Sequence, residues 1–235
     1  MKAKVVRVFV LIGCLCLIAT AIFLGVYFGT KKKEEPETFS EYYNTKCNAF
    51  TNENAHLLKN QIVFIGDSIT DFYHLDDFYA DLSLETYNRG IAGDTTYGVL
   101  NRLKLSLFDI CPSKVVLMIG TNDVGARSVS YIMDKYKKIL KEIKTNLPSA
   151  EVYCMSIIAQ NNIIGLDVGA NNQKINQINP QIKTLAESMG YKYYDLHSLT
   201  TSTDGQLNVT YTNDGIHLND AGFEVWTNLI KPDLI

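Results

Sequence analysis

Hydrophobic and polar positions change period several times along this chain, and each change marks an element. Residues 62–66 read Ile-Val-Phe-Ile-Gly, an unbroken apolar run ending in glycine. That pattern predicts a strand covered on both faces, as in a parallel sheet. Further strand-like stretches occupy 85–91, 114–119, 151–158 and 191–195. Between them, apolar residues fall at three- and four-residue intervals. Val99, Leu100, Leu103 and Leu107 make one stripe, and Val129, Ile132, Tyr136, Ile139, Leu140, Ile143 and Leu147 make a longer one over 128–147, with Pro148 after it. A third carries Ile175, Ile178, Ile182, Leu185 and Met189, with Pro180 off the stripe as a source of bending and Gly190 at its end. The last carries Phe223, Val225, Trp226, Leu229 and Ile230 behind Asn219 as a cap. Residues 41–59 are polar with scattered Tyr43, Phe50 and Leu57, which suits one or two short helices. Five strands alternating with helices predict right-handed crossovers and a parallel sheet with helices on both faces, a three-layer α/β domain over 41–235.

The N-terminal pattern is of another kind. Residues 8–29 hold no charge, follow a short basic N-terminus (1–7) with Lys2, Lys4 and Arg7, and precede Lys31, Lys32 and Lys33. As a helix this run would be about 33 Å long, enough to cross a bilayer core. A cleaved signal peptide competes, since Ala19-Thr20-Ala21 has the form of a cleavage site, and Leu11-Ile12-Gly13-Cys14 resembles a lipid-attachment box. In both cases the apolar run continues past the processing point. The expectation is therefore an uncleaved single-pass transmembrane helix at 8–29, a polar tether at 30–40, and membrane association through the helix. Three basic residues on either side leave the orientation undetermined. The Asn208-Val209-Thr210 sequon and the expected ester substrates favour an extracytoplasmic domain.

Composition narrows the partners. The 235 residues are 46% apolar and 20% charged, suited to one globular domain plus an appendage. Net charge is −3, but residues 40–235 carry 16 basic and 22 acidic side chains, which argues against nucleic acid as a partner. Cys47, Cys111 and Cys154 remain outside the apolar N-terminal run, so free thiols or at most one disulfide are expected. No Cys-x-x-Cys or His/Cys ligand spacing occurs, Gly93 lacks the pattern of a dinucleotide or phosphate loop, and neither metal nor cofactor is expected.

Candidate chemistry collects where strands end. Gly66-Asp67-Ser68 puts a hydroxyl at the carboxyl end of the first strand, the edge at which open α/β sheets bind ligands. A serine needs a base, and the base needs an orienting acceptor. In Asp214-Gly215-Ile216-His217 the three-residue spacing lets one carboxylate reach the imidazole while the other ring nitrogen faces outward. Asp195 and His197 are the strongest rival pair, whereas His56 and His74 lack a patterned acidic partner. Donors for a tetrahedral oxyanion come from the Ser68 and Gly93 main chain and the Asn122 side chain, in Gly90-Ile91-Ala92-Gly93-Asp94 and Gly120-Thr121-Asn122-Asp123.

These four blocks, in this order, resemble those of the SGNH or GDSL hydrolases. The 88–96 stretch and the tail from His217 to Trp226 are most similar to the platelet-activating-factor-acetylhydrolase-like branch, apart from Ala92, where that branch often has glycine. The resemblance covers about 61–230. It implies a flavodoxin-like sheet and a metal-free ester hydrolase, with Ser68 as nucleophile, His217 as base, Asp214 as its partner, and Ser68, Gly93 and Asn122 around the oxyanion.

The expected activity is removal of short, acetyl-like acyl groups from a carbohydrate or other small-alcohol ester, a small-molecule or glycan substrate. Loop 160–169 holds too few apolar residues for a greasy lid, so a long acyl chain would lack cover. Alternatives on the same residues are a lysophospholipase or lipase-like enzyme and an acyltransferase. From another class stands a non-catalytic module binding acylated glycan, which would not need nucleophile, base, orienter and oxyanion donors together.

Overall fold

The computed structural model describes residues 39–235 except Ile164 and Leu166; the expected transmembrane helix at 8–29 and most of the tether lie outside them. Among the described residues no helix is long and apolar enough to cross a membrane. The order of elements is α1 (Glu41–Glu53), β1 (Ile62–Gly66), α2 (Ser68–Asp71), α3 (Leu75–Tyr79), β2 (Thr86–Gly90), α4 (Thr96–Leu103), β3 (Lys114–Met118), α5 (Val129–Asn146), β4 (Glu151–Met155), α6 (Gly169–Ser188), β5 (Lys192–Tyr194), α7 (Leu196–Thr200) and α8 (Asp220–Leu234). All five strands are parallel, in the order β2-β1-β3-β4-β5. That is the flavodoxin-like order, whose switch point lies between β1 and β3.

The sheet is covered on both faces because its strands alternate within their apolar runs. Val63 and Ile65 join Val115, Leu117, Val152 and Cys154 in a core against α4, α5 and α6. Ile62 and Phe64 point the other way, with Val116, Met118, Tyr153 and Met155, onto Tyr73, Tyr79, Leu196, Phe223 and Trp226. At about 25 cal/mol per Å2 of apolar surface removed from water, these two faces supply most of the drive to fold.

Four strands are shorter than their apolar runs, for identifiable reasons. After Met155 the chain leaves the ladder because Asn179 of α6 takes over, accepting from Ile157 N–H and donating to its carbonyl, both at 2.9 Å. Tyr191 still belongs to the end of α6, its N–H bonded to Ala186 O. Ile91 carries the turn that Asp94 N–H closes, and Ile119 leads into Gly120. α6 runs unbroken through Pro180, and α4 continues into one π-helical turn, Lys104–Phe108, that absorbs the stripe ending at Leu107. Within 41–59 a single helix forms, α1, capped by Ser40 and ending at Glu53. Cys47, Cys111 and Cys154 are free thiols.

Candidate active site

The carboxyl ends of β1 and β3 open on the same edge, paired flush with Gly66 beside Met118 and Gly90. Gly66 is small for reasons of space: a Cβ there would lie 2.2 Å from Met118 O and from Thr70 Oγ1. The chain then turns straight into α2, Asp67 acting as its cap by accepting from Ile69 N–H at 3.1 Å. Ser68 is the first helical residue, so its N–H has no intrahelical partner.

The C-terminal loop brings the other groups. Asp214 Oδ1 accepts from the N–H groups of Ile216 (2.9 Å) and His217 (2.8 Å), which folds the loop tightly around one carboxylate. Gly215 carries φ +87°, and a Cβ on it would lie 2.4 Å from Asn161 O, so both conformation and space require glycine. Its carbonyl accepts from Asn161 N–H at 2.7 Å, fastening the loop to the segment after β4. The second carboxylate oxygen is left for the imidazole: His217 Nδ1 lies 2.6 Å from Asp214 Oδ2, and Nε2 lies 2.9 Å from Ser68 Oγ. Burial pushes the Asp214 carboxyl up, but the hydrogen bonds from the His217 ring and from the His217 and Ile216 N–H groups outweigh it and hold the pKa at about 2. The carboxylate therefore stays charged wherever the imidazole can act as a base.

The rival pair is not arranged this way. Asp195 accepts from Ser198 N–H (3.0 Å) and Oγ (2.6 Å), capping α7, and burial lowers the His197 pKa. His56 follows α1, and His74 stands just before α3 without a side-chain capping bond.

The expected oxyanion donors follow the ends of β2 and β3, the strands that flank β1. Gly93 has φ +80°, and nothing lies within 4 Å of a Cβ built on it, so the turn faces open space. Neither the Ser68 nor the Gly93 main-chain N–H is taken up by a hydrogen bond among the described residues. Asn122 donates one side-chain N–H to Asp94 O at 2.9 Å, leaving its second N–H available. All three groups thus lie at the carboxyl edge of neighbouring strands, the edge where Ser68 stands.

Two features were not read from the sequence. Asp67 is fully buried with Oδ2 unpartnered; burial first, then the nearby Asp94 and Asp123 carboxylates, raise its pKa to about 7. Asp94 meets the guanidinium of Arg102 at 2.7 Å, and Arg102 also donates to Gly66 O and Arg89 O. The second is Asp71, whose carboxylate accepts from Ala92 N–H (2.9 Å), Tyr42 Oη (2.7 Å) and Lys46 Nζ (2.8 Å). An acidic residue after Ser68-Ile69-Thr70 reads from sequence as a helix-end charge; only the folded chain puts the Gly93 turn beside it.

Known proteins share this arrangement of chain. Human platelet-activating factor acetylhydrolase IB subunit alpha2 is 26% identical over 166 residues, 69% of this chain and 70% of that protein. A solved Streptococcus pneumoniae protein, described as a candidate platelet activating factor, is similar with TM-score 0.75 and 28% identity, over 83% of this chain and 94% of that one. A GDSL-like lipase from Bacteroides thetaiotaomicron gives 0.73 and 25%, over 83% and 98%. The family model of the GDSL-like lipases and acylhydrolases matches residues 64–225, well over half of the sequence. The chain belongs to the GDSL-like lipase/acylhydrolase family and is a carboxylic ester hydrolase.

Proposed function

We propose that this protein removes short acyl groups from esters of a carbohydrate or other small alcohol, with Ser68, His217 and Asp214 as the working triad. One observation carries the reading: the unbroken hydrogen-bonded chain from Ser68 Oγ through both His217 nitrogens to Asp214 Oδ2, at 2.9 and 2.6 Å. Ser68 Oγ attacks the ester carbonyl as Nε2 takes its proton, and the carbonyl π electrons move onto oxygen. That oxyanion is met by the N–H groups of Ser68, Gly93 and Asn122, fixed before the charge appears. Collapse breaks the bond to the alcohol, which leaves with the proton from Nε2. Water, deprotonated by the same nitrogen, then releases the acid and restores Ser68.

The preference for short acyl groups draws support from the name of the acetylhydrolase relative and from the open turn at Gly93, where nothing among the described residues lies within 4 Å of a Cβ built on the glycine. In loop 160–169, Ile163 is exposed. The domain at 41–235 is held to a membrane by residues 8–29 through the 30–40 tether, on the extracytoplasmic side, a reading that rests on the charge-free run and the sequon.

The test compares kcat/KM for 4-nitrophenyl acetate, butyrate, octanoate and palmitate under one detergent condition, with fluorophosphonate labelling of Ser68. Rates are expected to fall with acyl length. A profile rising toward palmitate would move the function to a lipase, and absent labelling would remove Ser68 as nucleophile. For the membrane reading, protease treatment of intact cells should digest the domain; protection until lysis would place it inside.

A further inference from the structure

Two aromatic side chains are strongly exposed among the described residues, Phe72 at 44% and Tyr42 at 46%, and both stand at the nucleophile's helix. Phe72 closes α2, its N–H bonded to Ser68 O at 2.9 Å. Its ring centre lies 5.1 Å from that of His217, tilted by 57°, so it touches the imidazole and still faces water. Tyr42 reaches the same rim from α1, its hydroxyl bonded to Asp71, the residue before Phe72. A single exposed aromatic is ordinary on a protein surface. A pair at the one place where a substrate must sit calls for an occupant.

The reaction's geometry says which part of the substrate that is. Around the tetrahedral carbon on Ser68 Oγ, the oxyanion points to the Ser68, Gly93 and Asn122 donors. The departing oxygen must come within hydrogen-bond reach of His217 Nε2, about 3 Å, to receive its proton. Phe72 packs against this same imidazole, so an alcohol held at Nε2 can extend over its ring while the acyl group takes another direction. We propose that Phe72, with Tyr42 beside it on the rim, forms the subsite for the leaving alcohol, and that this alcohol is a sugar ring presenting its C–H face to the Phe72 ring. The inference rests on the triad reading above.

The rim's chemistry favours a sugar over a lipid alcohol. A pyranose ring is apolar on one face and hydroxyl-bearing at its edges, and C–H bonds lie well on the negative face of an aromatic ring. Here the Tyr42 ring carries a hydroxyl that suits such edges, bonded to Asp71 and next to Lys46, which holds the same carboxylate. A hydrocarbon alcohol would need a continuous apolar wall, whereas these are separate rings set among polar groups.

The experiment holds the acyl group constant and varies the alcohol. For wild type, Phe72→Ala and Phe72→Tyr, kcat/KM is measured with ethyl acetate, 4-nitrophenyl acetate and an O-acetylated methyl glycoside, and the deacylation rate constant is taken from the 4-nitrophenyl acetate burst. In Phe72→Ala the glycoside should lose about tenfold or more while ethyl acetate loses less than about threefold, since only a ring can use the platform. Phe72→Tyr should recover the glycoside. Deacylation should change by less than about twofold, because the alcohol has already gone. Equal losses on ethyl acetate and glycoside together with slow deacylation would make Phe72 a support for the imidazole and overturn the proposal. So would equal activity of all three proteins on the glycoside, or a Phe72→Ala loss that follows acyl length at fixed alcohol. Failure of the triad reading is seen separately, as wild-type protein inactive on every acetate and unlabelled by fluorophosphonate. Circular dichroism checks that Phe72→Ala folds, and Phe72→Leu, which keeps bulk without a π face, repeats the test: glycoside activity retained in Phe72→Leu would also overturn it.

Discussion

Replacing Asp214 with asparagine separates the fold of the C-terminal loop from its chemistry, because the two carboxylate oxygens do different work. Oδ1 accepts two main-chain N–H groups, from Ile216 and His217, while Oδ2 faces His217 Nδ1. Asparagine has one acceptor oxygen and one NH2 group. With its oxygen in the Oδ1 place, the loop keeps both main-chain bonds and the amide points a donor at Nδ1. The imidazole must then carry its proton on Nε2 and point an N–H at Ser68 Oγ, where it cannot take the hydroxyl proton. With the amide turned over, two main-chain donors would face NH2, losing bonds to a charged acceptor of about 1.5–3 kcal/mol each. The first arrangement costs less, so the expected variant is folded and holds the wrong tautomer.

Magnitudes follow from the same geometry. The fall of the Asp214 pKa from its ordinary 3.8 to about 2 corresponds to at most about 2.4 kcal/mol of stability. Its side chain is 47% exposed, so solvent screening reduces the expected loss in Asp214→Asn to about 1 kcal/mol at pH 7. Because the folded pKa is depressed, this contribution is complete above about pH 4 and vanishes as pH falls through 2. The stability gap between wild type and variant should close over that window. Activity should fall far more, by about 10³ to 10⁴ in kcat, as for other triads with a misprotonated histidine. Initial rates on 4-nitrophenyl acetate and urea denaturation at pH 7 and pH 3 measure both. A variant retaining more than about a tenth of the activity would refute the tautomer argument. A stability loss above about 4 kcal/mol would refute the expected orientation, because the loop bonds would have gone as well.

Other substitutions test the remaining parts. Ser68→Ala and His217→Ala should each remove nearly all activity, and the double variant should be no worse than either, while His197→Ala should change little; equal damage from His197→Ala with unchanged circular dichroism would reassign the base. Asn122→Ala should lower kcat by about 10² to 10³, roughly 3 to 4 kcal/mol, with little change in KM, and a pure rise in KM would contradict a transition-state donor. Asp67, with its folded pKa raised to about 7, holds its proton more tightly folded than unfolded, so wild type loses stability as pH rises from about 4 to 7. Relative to wild type, Asp67→Asn should gain roughly 3 to 4 kcal/mol over that range, and a pH-independent difference in urea denaturation would show that the buried proton is not there.

Much of the fold was legible because its signals are local. A buried strand such as Ile62–Gly66 declares itself by continuous apolarity, and α5 by the spacing of Ile132, Tyr136, Ile139 and Ile143. Strand ends were less legible, since Ile157 and Ile158 are as apolar as the strand before them and only the side chain of Asn179, a helix away in sequence, decides that Ile157 leaves the ladder. The short helices α2, α3 and α7 have too few residues for a periodic stripe. The loop bearing Asp214 and His217 could be read because its partners are three residues apart. Asp71 with Ala92 and Phe72 against His217 could not, since each contact joins segments whose meeting depends on the finished sheet edge.

That sheet edge also bears on how the proposed donors would be held still in an open site. Among the described residues nothing lies within 4 Å of a Cβ built on Gly93, so the turn is held from its flanks. On one flank, Ala92 N–H is tied to Asp71, which belongs to the helix carrying Ser68 and is itself gripped by Tyr42 and Lys46 of α1. On the other, Asp94 closes the turn onto Ile91, its carbonyl accepts from Asn122, and its carboxylate meets the buried guanidinium of Arg102. Arg102 reaches on to Gly66 O at the end of β1, so both flanks are bonded back to the segment that presents the serine. The proposed oxyanion hole would work only if its donors need not move when charge develops. Here the positions of Gly93 and Ser68 are fixed to each other through two carboxylates, which lets the substrate side of the turn stay open to water without becoming slack.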